Sequence, residues 1–348
     1  MDVRLSAEQV ALRDAAVQVV DRLGVHVVAA LEDAERTVKL NAAVSASGWR
    51  ELRTATDGGS TPWASGVEVA LVAEELGRGL ADAPFLGATM AADLRRLAGA
   101  PPAVATETIA FGEDLGQTAP VANGLVNAKS AAPDAAGAFS ALVLVEGPGG
   151  CTVGAVALDD PVTGIDLTRP MARVRTPATV TAVEGQSREI LPDDIAAWRS
   201  LGLAATSADL VGVMRGALAL ATDYARERKQ YGAAIGSFQA VQHLLADSLV
   251  AMEGSRSIAL HAAWAVDALP GPEALAAASA AKAYCARAAR SVCETAIQVH
   301  GGIGNTWDCL AHVFLRRALL STDMLGGVGA NLDRVLAARG LGVHDGLR

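Results

Sequence analysis

Two stretches in the last third of the chain combine cationic and amide side chains with glycines, as anion and cofactor sites do. The first, ERKQYGAAIGSFQAVQHLLAD, occupies residues 227–247. A helix that ends at Arg228 places a cation near its negative end. The next helix is predicted to begin at a cap formed by Ser237, Phe238 and Gln239, and such an N-terminus suits an anion. Two interpretations follow: Arg228 holds a pyrophosphate, or it is a solvated cation that interacts only with the helix dipole.

The second stretch, QVHGGIGNTWD at 298–308, places two adjacent glycines after a helix. Gly301 and Gly302 permit a positive φ and a close approach of a ligand to the backbone, although Gly-Gly is also a common helix end. The spacing is GGxG rather than GxGxxG, and no strand precedes it. The pattern therefore argues against a Rossmann dinucleotide turn.

Other catalytic and metal-binding patterns are missing from the sequence. His243, His261, His300 and His312 show no ligand spacing such as HExxH, so a metal site is not predicted. GxSxG and an ordered Ser/His/Asp set are absent, which gives hydrolase chemistry no support. The four cysteines show no CxxC spacing, and two of them are predicted to be core residues of one helix: Cys285 and Cys293.

Three regions would position these residues in an α+β fold that is mainly α. Helical periodicity predicts an N-terminal helical domain over 1–105. Short β-branched runs separated by Gly, Pro and Asp predict a small antiparallel sheet domain over 106–193. Four long Ala-rich helices at 195–229, 237–269, 272–300 and 309–338 predict a C-terminal four-helix bundle over 194–348.

The composition limits the class of partner. The chain has 348 residues, 51% of them hydrophobic and 4% aromatic, and its formal net charge is −9. This charge argues against nucleic acid or an anionic membrane as the main partner. The N-terminus lacks the features of a signal peptide, and no apolar run is expected to be long enough to span a bilayer. We expect a cytoplasmic protein with buried helices.

The chain closely resembles the acyl-CoA dehydrogenase family. The resemblance lies in the α–β–α order, in the motifs RKQYGAAIGSFQAVQH and QVHGGIGNTW, and in EELGRGLADAPF at 74–85. The resemblance covers most of the chain and is most specific over 209–318. It implies an FAD enzyme that dehydrogenates an acyl-CoA at its α,β-bond and passes electrons to an electron-transfer flavoprotein. The sequence of these motifs is similar to that of small actinobacterial members, some of which pair as unlike subunits in sterol side-chain breakdown.

The resemblance also implies cofactor contacts across a subunit boundary. In the family, the residue at Arg228 contacts the FAD diphosphate of a neighbouring subunit. The residues that match positions near that FAD are Arg228, Gln230, Tyr231, Phe238, Gln239, Gln298, Gly301 and Gly302.

Departures from the family pattern concern catalysis. The two positions that carry the family's catalytic Glu fall on Gly202 and Leu325, and neither residue can accept a proton. Asp209 lies seven residues after Gly202, on nearly the same helix face and about 10 Å further along. Asp209 is therefore the candidate base, with Asp323 as a second acid.

A further departure lies in the β domain, which lacks the family's Thr-Glu-Pro…Gly-Ser stretch for the flavin ring and thioester. AFGEDLGQTAP at 110–120 stands in its place, with Glu113 and Thr118 as partial matches. We therefore predict a subunit of a heteromeric acyl-CoA dehydrogenase that lends its FAD-diphosphate residues to a catalytic partner. Two alternatives stay open: a self-sufficient homo-oligomer that uses Asp209 or Asp323, and a non-enzymatic partner that binds CoA esters.

Overall fold

A computed structural model describes residues 4–56 and 59–341, and its first part is helical. Four α-helices precede the first strand: α1 Ala7–Leu23, α2 Ala34–Ala46, α3 Gly66–Arg78 and α4 Leu86–Leu97. Capping boxes at Ser6 and Ser65 satisfy the first free N–H groups of α1 and α3. The prediction of helices up to about residue 100 is confirmed.

Short strands follow, and the longest two form a hairpin. The strands before the bundle are β1 Glu107–Ile109, β2 Phe111–Gly112, β3 Leu125–Val126, β4 Ser130–Ala132, β5 Ser140–Glu146, β6 Cys151–Ala157, β7 Ala172–Arg173, β8 Ala178–Thr179 and β9 Thr181–Ala182. They form sheets of order β1-β5-β6-β9, β2-β4-β7 and β3-β8. The prediction of a purely antiparallel sheet is wrong, because β1 pairs with β5 in parallel after a crossover through β2–β4. Hairpin β5–β6 is antiparallel, from Ser140 opposite Ala157 to Glu146 opposite Cys151.

The C-terminal part is a bundle of long helices. These are α5 Pro192–Glu227, α6 Gln239–Ala268, α7 Gly271–His300, α8 Ala311–Asp323 and α9 Val328–Ala338. The predicted fourth helix over 309–338 is wrong in one respect: it is broken at residues 324–327. Leu325 has φ 63° and Gly326 has φ 95°, and such left-handed backbone cannot continue an α-helix. Cys285 and Cys293 are fully buried on α7, as predicted.

Helix α5 is the centre of the structure and packs against both α3 and α7. Glycine makes the contact with α3 possible, because a Cβ on Gly212 would lie 1.9 Å from the Glu74 carbonyl oxygen. An 18-residue window of α5 is apolar and long enough to cross a membrane, with mean hydropathy 1.3, and 72% of that window is buried inside the protein. The expectation that no apolar run reaches this length is therefore wrong, and the burial identifies α5 as a core helix. The domain limits predicted at 105 and 193 stay a proposal.

Candidate functional site

The ERKQYGAAIG stretch forms a two-residue hairpin at the end of α5. Arg228 is the C-cap residue of α5, and strands β10 Lys229–Gln230 and β11 Ala233–Ala234 follow it. Tyr231 and Gly232 form the turn with φ of 53° and 79°. Two successive positive φ angles are typical of the tight turns that match strand twist, and Gly supplies one at little cost. The hairpin therefore fixes Arg228 at the base of a turn rather than in a loose loop.

Helix α6 follows this hairpin after one short 3-10 turn, Ile235–Ser237, and begins without a side-chain cap. Its N-cap residue is Phe238, and no side chain caps the helix there. The predicted cap by Ser237 is wrong, because the Ser237 hydroxyl donates to the Ala234 carbonyl at 2.7 Å. The first N–H groups of α6 are thus free of a side-chain acceptor, at the positive end of a long helix.

The QVHGGIG stretch ends α7 at the same end of the bundle. Gly301 is the C-cap of α7 and has φ 66°, as its residue type predicts. The ring of His300, one residue earlier, stacks on Tyr224 of α5 with centroids 4.4 Å apart. His300 Nδ1 also contacts the Ala296 carbonyl oxygen at 2.7 Å, which fixes the ring. The two glycine-containing stretches are therefore brought to one end of the molecule, here called the corner end (residues 228–239 and 298–302).

All eight residues predicted to contact FAD are exposed at the corner end. Tyr231 is 94% exposed, and its ring meets Phe238 edge-on at 6.3 Å. A Cβ built on Gly301 or Gly302 would meet no atom within 4 Å, so the backbone there is open. Arg226 pairs with Asp223 at 3.1 Å, whereas Arg228 has no ion-pair partner in the part of the chain that the structure describes. A free guanidinium, open glycine backbone and exposed rings are suited to a ligand with phosphates and an aromatic base.

The two positions of the family's catalytic Glu converge at the other end of α5. A Cβ on Gly202 would lie 2.6 Å from Leu325 Cδ1 and 2.7 Å from Met90 Cε. Leu325 and Met90 are each 1% exposed. The space above Gly202 is therefore filled by two apolar side chains of the same chain.

The backbone of Leu325 is also fully engaged. Its N–H donates to the Leu115 carbonyl at 2.8 Å, and its own carbonyl accepts from Arg334 Nη1 at 2.9 Å. The buried Lys282 ammonium donates to the carbonyls of Thr322 and Met324 at 2.8 and 2.7 Å. We call this group of residues the closed end: Gly202, Met90, Leu115 and residues 324–327.

Asp209 lies in a buried ion cluster. It is 2% exposed, and its carboxylate is 2.7 Å from both Arg169 Nη2 and Arg317 Nη2. Ser321 donates to its second oxygen at 2.8 Å. Burial raises the pKa of the Asp209 carboxyl, but the charges of Arg169 and Arg317 and their hydrogen bonds lower it more, so the net pKa is below the ordinary value. Such a carboxylate holds its charge and accepts a proton poorly.

The remaining acidic candidates face solvent. Asp323 ends α8 and is exposed. Glu113 is exposed as well and lies 3.8 Å from the Lys129 ammonium. Thr118 pairs with Phe111 in a bridge that closes the 110–120 loop. Within residues 4–56 and 59–341, no group of three or more His, Cys, Asp or Glu side chains is arranged to hold a metal ion.

The corner end and the closed end are far apart within one chain. Arg228 follows Gly202 by 26 residues of one α-helix and its cap. At a rise of 1.5 Å per residue, about 39 Å separates them along the helix axis. One cofactor molecule bound over Gly202 would therefore not reach the guanidinium of Arg228 in the same chain.

Comparison with known sequences agrees with this architecture. Residues 201–340 match the family described as "Acyl-CoA dehydrogenase, C-terminal domain". The chain is 31% identical to acyl-CoA dehydrogenase IpdE2 of Mycobacterium tuberculosis over 264 residues, which are 74% of this chain and 73% of that protein. It is 37% identical to acyl-CoA dehydrogenase FadE34 of the same organism over 213 residues. That match covers 60% of this chain but only 29% of FadE34.

Solved structures share the fold over nearly the whole chain. The ChsE4-ChsE5 complex from Mycobacterium tuberculosis matches with a TM-score of 0.78 at 22% identity, over 99% of this chain and 100% of that one. The FAD complex of PigA matches with a TM-score of 0.74 at 19% identity, over 98% and 100% of the two chains. With the sequence match to IpdE2 over about three quarters of both proteins, these findings establish that the chain belongs to the acyl-CoA dehydrogenase family.

Proposed function

We propose that this chain is one subunit of a heteromeric, FAD-dependent acyl-CoA dehydrogenase and completes the FAD-diphosphate site of a catalytic partner chain. One observation carries the proposal: the corner end is open and its Arg228 has no ion-pair partner among the residues that the structure describes, while Leu325 and Met90 fill the space over Gly202 in the same chain. The chain thus offers cofactor contacts to the outside and closes its own catalytic position.

The residues present fit one part of FAD and not the other. The diphosphate and adenosine fit the corner end, where Arg228 would bind phosphate, and Phe238 and Gln239 would contact the adenosine. The isoalloxazine ring does not fit the closed end, because Leu115 and Leu325 are hydrogen-bonded to each other there. Bound FAD supplies a hydride acceptor for the β-carbon of an acyl thioester. In the proposed assembly, this chain binds and orients that cofactor, and the partner supplies the base.

The proposed assembly contains two kinds of chain and acts on an acyl-CoA. Support for unlike chains comes from the ChsE4-ChsE5 complex, which shares the fold. A bulky acyl group such as a sterol side chain, transfer of electrons to an electron-transfer flavoprotein, and a cytoplasmic location complete the proposal. The acyl group follows from the resemblance to small actinobacterial members, the electron acceptor follows from the resemblance to the family, and the location is the expectation from the sequence.

A self-sufficient homo-oligomer is less well supported by the geometry. It would use Asp209 or Asp323 as the base. The Asp209 carboxylate already contacts two guanidiniums and a hydroxyl. Asp323 is exposed and lies two residues before the buried Leu325. Both assignments stay predictions, and turnover of Asp209→Asn in the purified protein tests the first.

Co-expression with a neighbouring acyl-CoA dehydrogenase chain tests the proposal. We expect the chain to be colourless when it is purified alone and to form a yellow complex with the partner, with flavin absorbance that copurifies. Arg228→Gln removes the free guanidinium, and the complex should then retain flavin at least about tenfold more weakly. Arg226→Gln is the matched control, because it removes a neighbouring cation that already pairs with Asp223.

The outcomes separate the three functions. A yellow chain that turns over acyl-CoA alone would overturn the heteromeric proposal and support the homo-oligomer. A colourless chain that forms no complex and binds only CoA esters would support the non-enzymatic alternative. A yellow complex in which Arg228→Gln retains flavin as well as Arg226→Gln would show that the corner end does not hold the diphosphate.

A further inference from the structure

A cavity of about 290 Å³ lies at the corner end, between α5, the residues that follow α7 and those that precede α8. It is open to solvent, and part of its lining is apolar, with Val27, Leu220 and Leu310. The thiol of Cys309 and the imidazole of His300 both line it. The other titratable groups on its lining are His26, Asp223, Tyr224, Glu227 and Asp308. A cysteine and a histidine thus share one cavity that a small molecule can enter.

The imidazole of His300 is held in one orientation. It is 7% exposed, its ring stacks on Tyr224 at 4.4 Å, and its Nδ1 lies 2.7 Å from the Ala296 carbonyl oxygen. A carbonyl oxygen only accepts hydrogen bonds, so Nδ1 carries the hydrogen and Nε2 of the neutral ring is an acceptor. Nε2 is therefore the nitrogen that can take a proton from Cys309, whose side chain is hydrogen-bonded to His300.

Cys309 lies at the start of α8, a helix of 13 residues. The N-cap residue Leu310 gives this helix no side-chain hydrogen bond, and the Ala311 N–H donates to the Cys309 sulfur. The positive end of a helix stabilises a thiolate. Burial raises the pKa of the Cys309 thiol, but the hydrogen bond with His300, the Ala311 N–H and the charge of His300 lower it more, so the net pKa is below the ordinary value.

The other three cysteines have different surroundings. Cys285 and Cys293 are fully buried on α7, and burial raises the pKa of both thiols, to about 12 for Cys285. Cys151 is more exposed than Cys309, but burial and then two nearby glutamate charges raise the pKa of its thiol. The most exposed of the four thiols and the one that ionises most easily are therefore different residues.

We propose that Cys309, with His300 as its proton acceptor, is a thiol–disulfide exchange site for small neutral or cationic disulfides. The Cys309 sulfur attacks one sulfur of the disulfide RS–SR, so a Cys309–SR bond forms and the original S–S bond breaks. Cys309 is oxidised to the mixed disulfide, and the other half leaves as a thiolate that takes the proton from His300. The exposed acids Asp223, Glu227 and Asp308 on the lining disfavour an anionic disulfide. The exchange uses neither flavin nor a partner chain, so it goes beyond the proposed function.

Reaction rates at Cys309 and Cys151 in the unaltered chain test the proposal without any substitution. The folded chain is treated with 2-hydroxyethyl disulfide, a small neutral reagent, and peptide mass spectrometry identifies the labelled cysteine over time. At about pH 6.5, Cys309 should react at least about tenfold faster than the more exposed Cys151. The rate at Cys309 should also level off at a lower pH. A rate at Cys309 no higher than at Cys151 would overturn the proposal.

His300→Phe tests the role of the imidazole and keeps an aromatic ring against Tyr224. At about pH 6.5 it should slow the reaction of Cys309 at least about tenfold, and the pH profile should move up to that of an ordinary thiol. His261→Phe is the matched control, because His261 is exposed and stacks on Trp264 with ring centroids 5.6 Å apart. An unchanged pH profile in His300→Phe would show that His300 is not the proton acceptor.

The charge of the reagent tests the selectivity of the cavity. Cystamine, a dication, should react with Cys309 at least about tenfold faster than dithiodipropionate, a dianion, at low ionic strength, each relative to its rate with mercaptoethanol. Cys309→Ser is the control for the site and should abolish this fast phase. Equal relative rates would overturn the preference for neutral and cationic disulfides. Flavin retention in the complex is measured on Arg228→Gln and does not depend on these rates, so the proposed function is tested separately.

Discussion

The two ends of helix α5 differ in solvent exposure and in hydrogen bonding. At the corner end, Arg228 and Tyr231 face solvent, and the glycine backbone near them is open. At the closed end, Leu325 is buried on Met90, and its N–H and carbonyl are both satisfied within the chain. In the proposed function, this difference separates cofactor binding from catalysis, which usually occur together in an enzyme. The exposed side chains of the corner end contribute little to the packed interior, whereas the buried side chains of the closed end contribute to folding.

The largest expected effect is at the ion cluster that joins α5 to the rest of the structure. Asp209→Ala leaves Arg169 and Arg317 buried without their shared carboxylate. We expect a loss of about 3–5 kcal/mol in the free energy of unfolding, measured by urea denaturation. Asp247→Ala, which removes an exposed acid of α6, should change stability by less than about 0.5 kcal/mol. Equal midpoints for the two variants would contradict a structural role for Asp209.

The next effect tests whether the closed end is a packed core. Leu325→Ala removes a side chain that is 1% exposed and packs against Gly202. We expect a loss of about 3 kcal/mol, within the usual range for buried Leu→Ala. Leu336→Ala on α9, where the side chain is 43% exposed, is the control and should cost far less. If Leu325→Ala were neutral and gained flavin binding, the closed end would instead be a ligand pocket.

A smaller effect depends on pH and on Lys282. Burial lowers the pKa of its ammonium from 10.5 to about 7, so above pH 7 the unfolded chain binds a proton that the folded chain lacks. Stability should therefore rise with pH between 7 and 9, by about 2 kcal/mol in all. Above pH 9 the buried thiol of Cys285, whose pKa burial raises to about 12, opposes this trend, because the unfolded thiol ionises first.

Lys282→Met is the variant that isolates this contribution. It should flatten the stability profile between pH 7 and 9, measured by thermal unfolding in matched buffers. Lys39→Met, which removes an exposed lysine paired with Glu35, should leave the slope intact. A slope that survives unchanged in Lys282→Met would assign the pH dependence to other groups.

The smallest expected effect on stability is at the corner end. Arg228→Gln should change the free energy of unfolding of the chain alone by less than about 0.5 kcal/mol, because the side chain is exposed and has no ion-pair partner within the described ranges. Chemical denaturation without the partner checks this. A loss above about 1 kcal/mol would mean that Arg228 supports the fold, and the contrast between the two ends would then fail.

The part of the corner end that the sequence predicted has a local signal. Glycine directly after a helix permits a positive φ, and Gly301 has one in the structure. The Tyr231–Gly232 hairpin itself was missed, since Tyr rarely adopts a left-handed φ and gives no turn signal. The break at residues 324–327 was missed although Gly326 and Gly327 mark it, because the apolar periodicity on both sides was interpreted as one helix.

The closed end could not be predicted because its contacts join distant parts of the chain. Arg169 reaches Asp209 from a β-domain loop, and Arg317 reaches it from α8. One local feature pointed to this cluster: an arginine on an apolar helix face, as in FLRRALL, needs a buried acidic partner. The convergence of Gly202 and Leu325 likewise depends on tertiary packing, and so does the parallel pairing of β1 with β5.

The length of α5 has a consequence for how such chains can diverge. Because the helix runs without interruption from Pro192 to Glu227, it acts as a rigid spacer between the corner end and the closed end. Inserting one residue after Gly202 would rotate Arg228 by about 100° and shift it by about 1.5 Å relative to the closed end. In the proposed assembly, substitutions at either end could accumulate independently, whereas the number of residues between the two ends would be fixed.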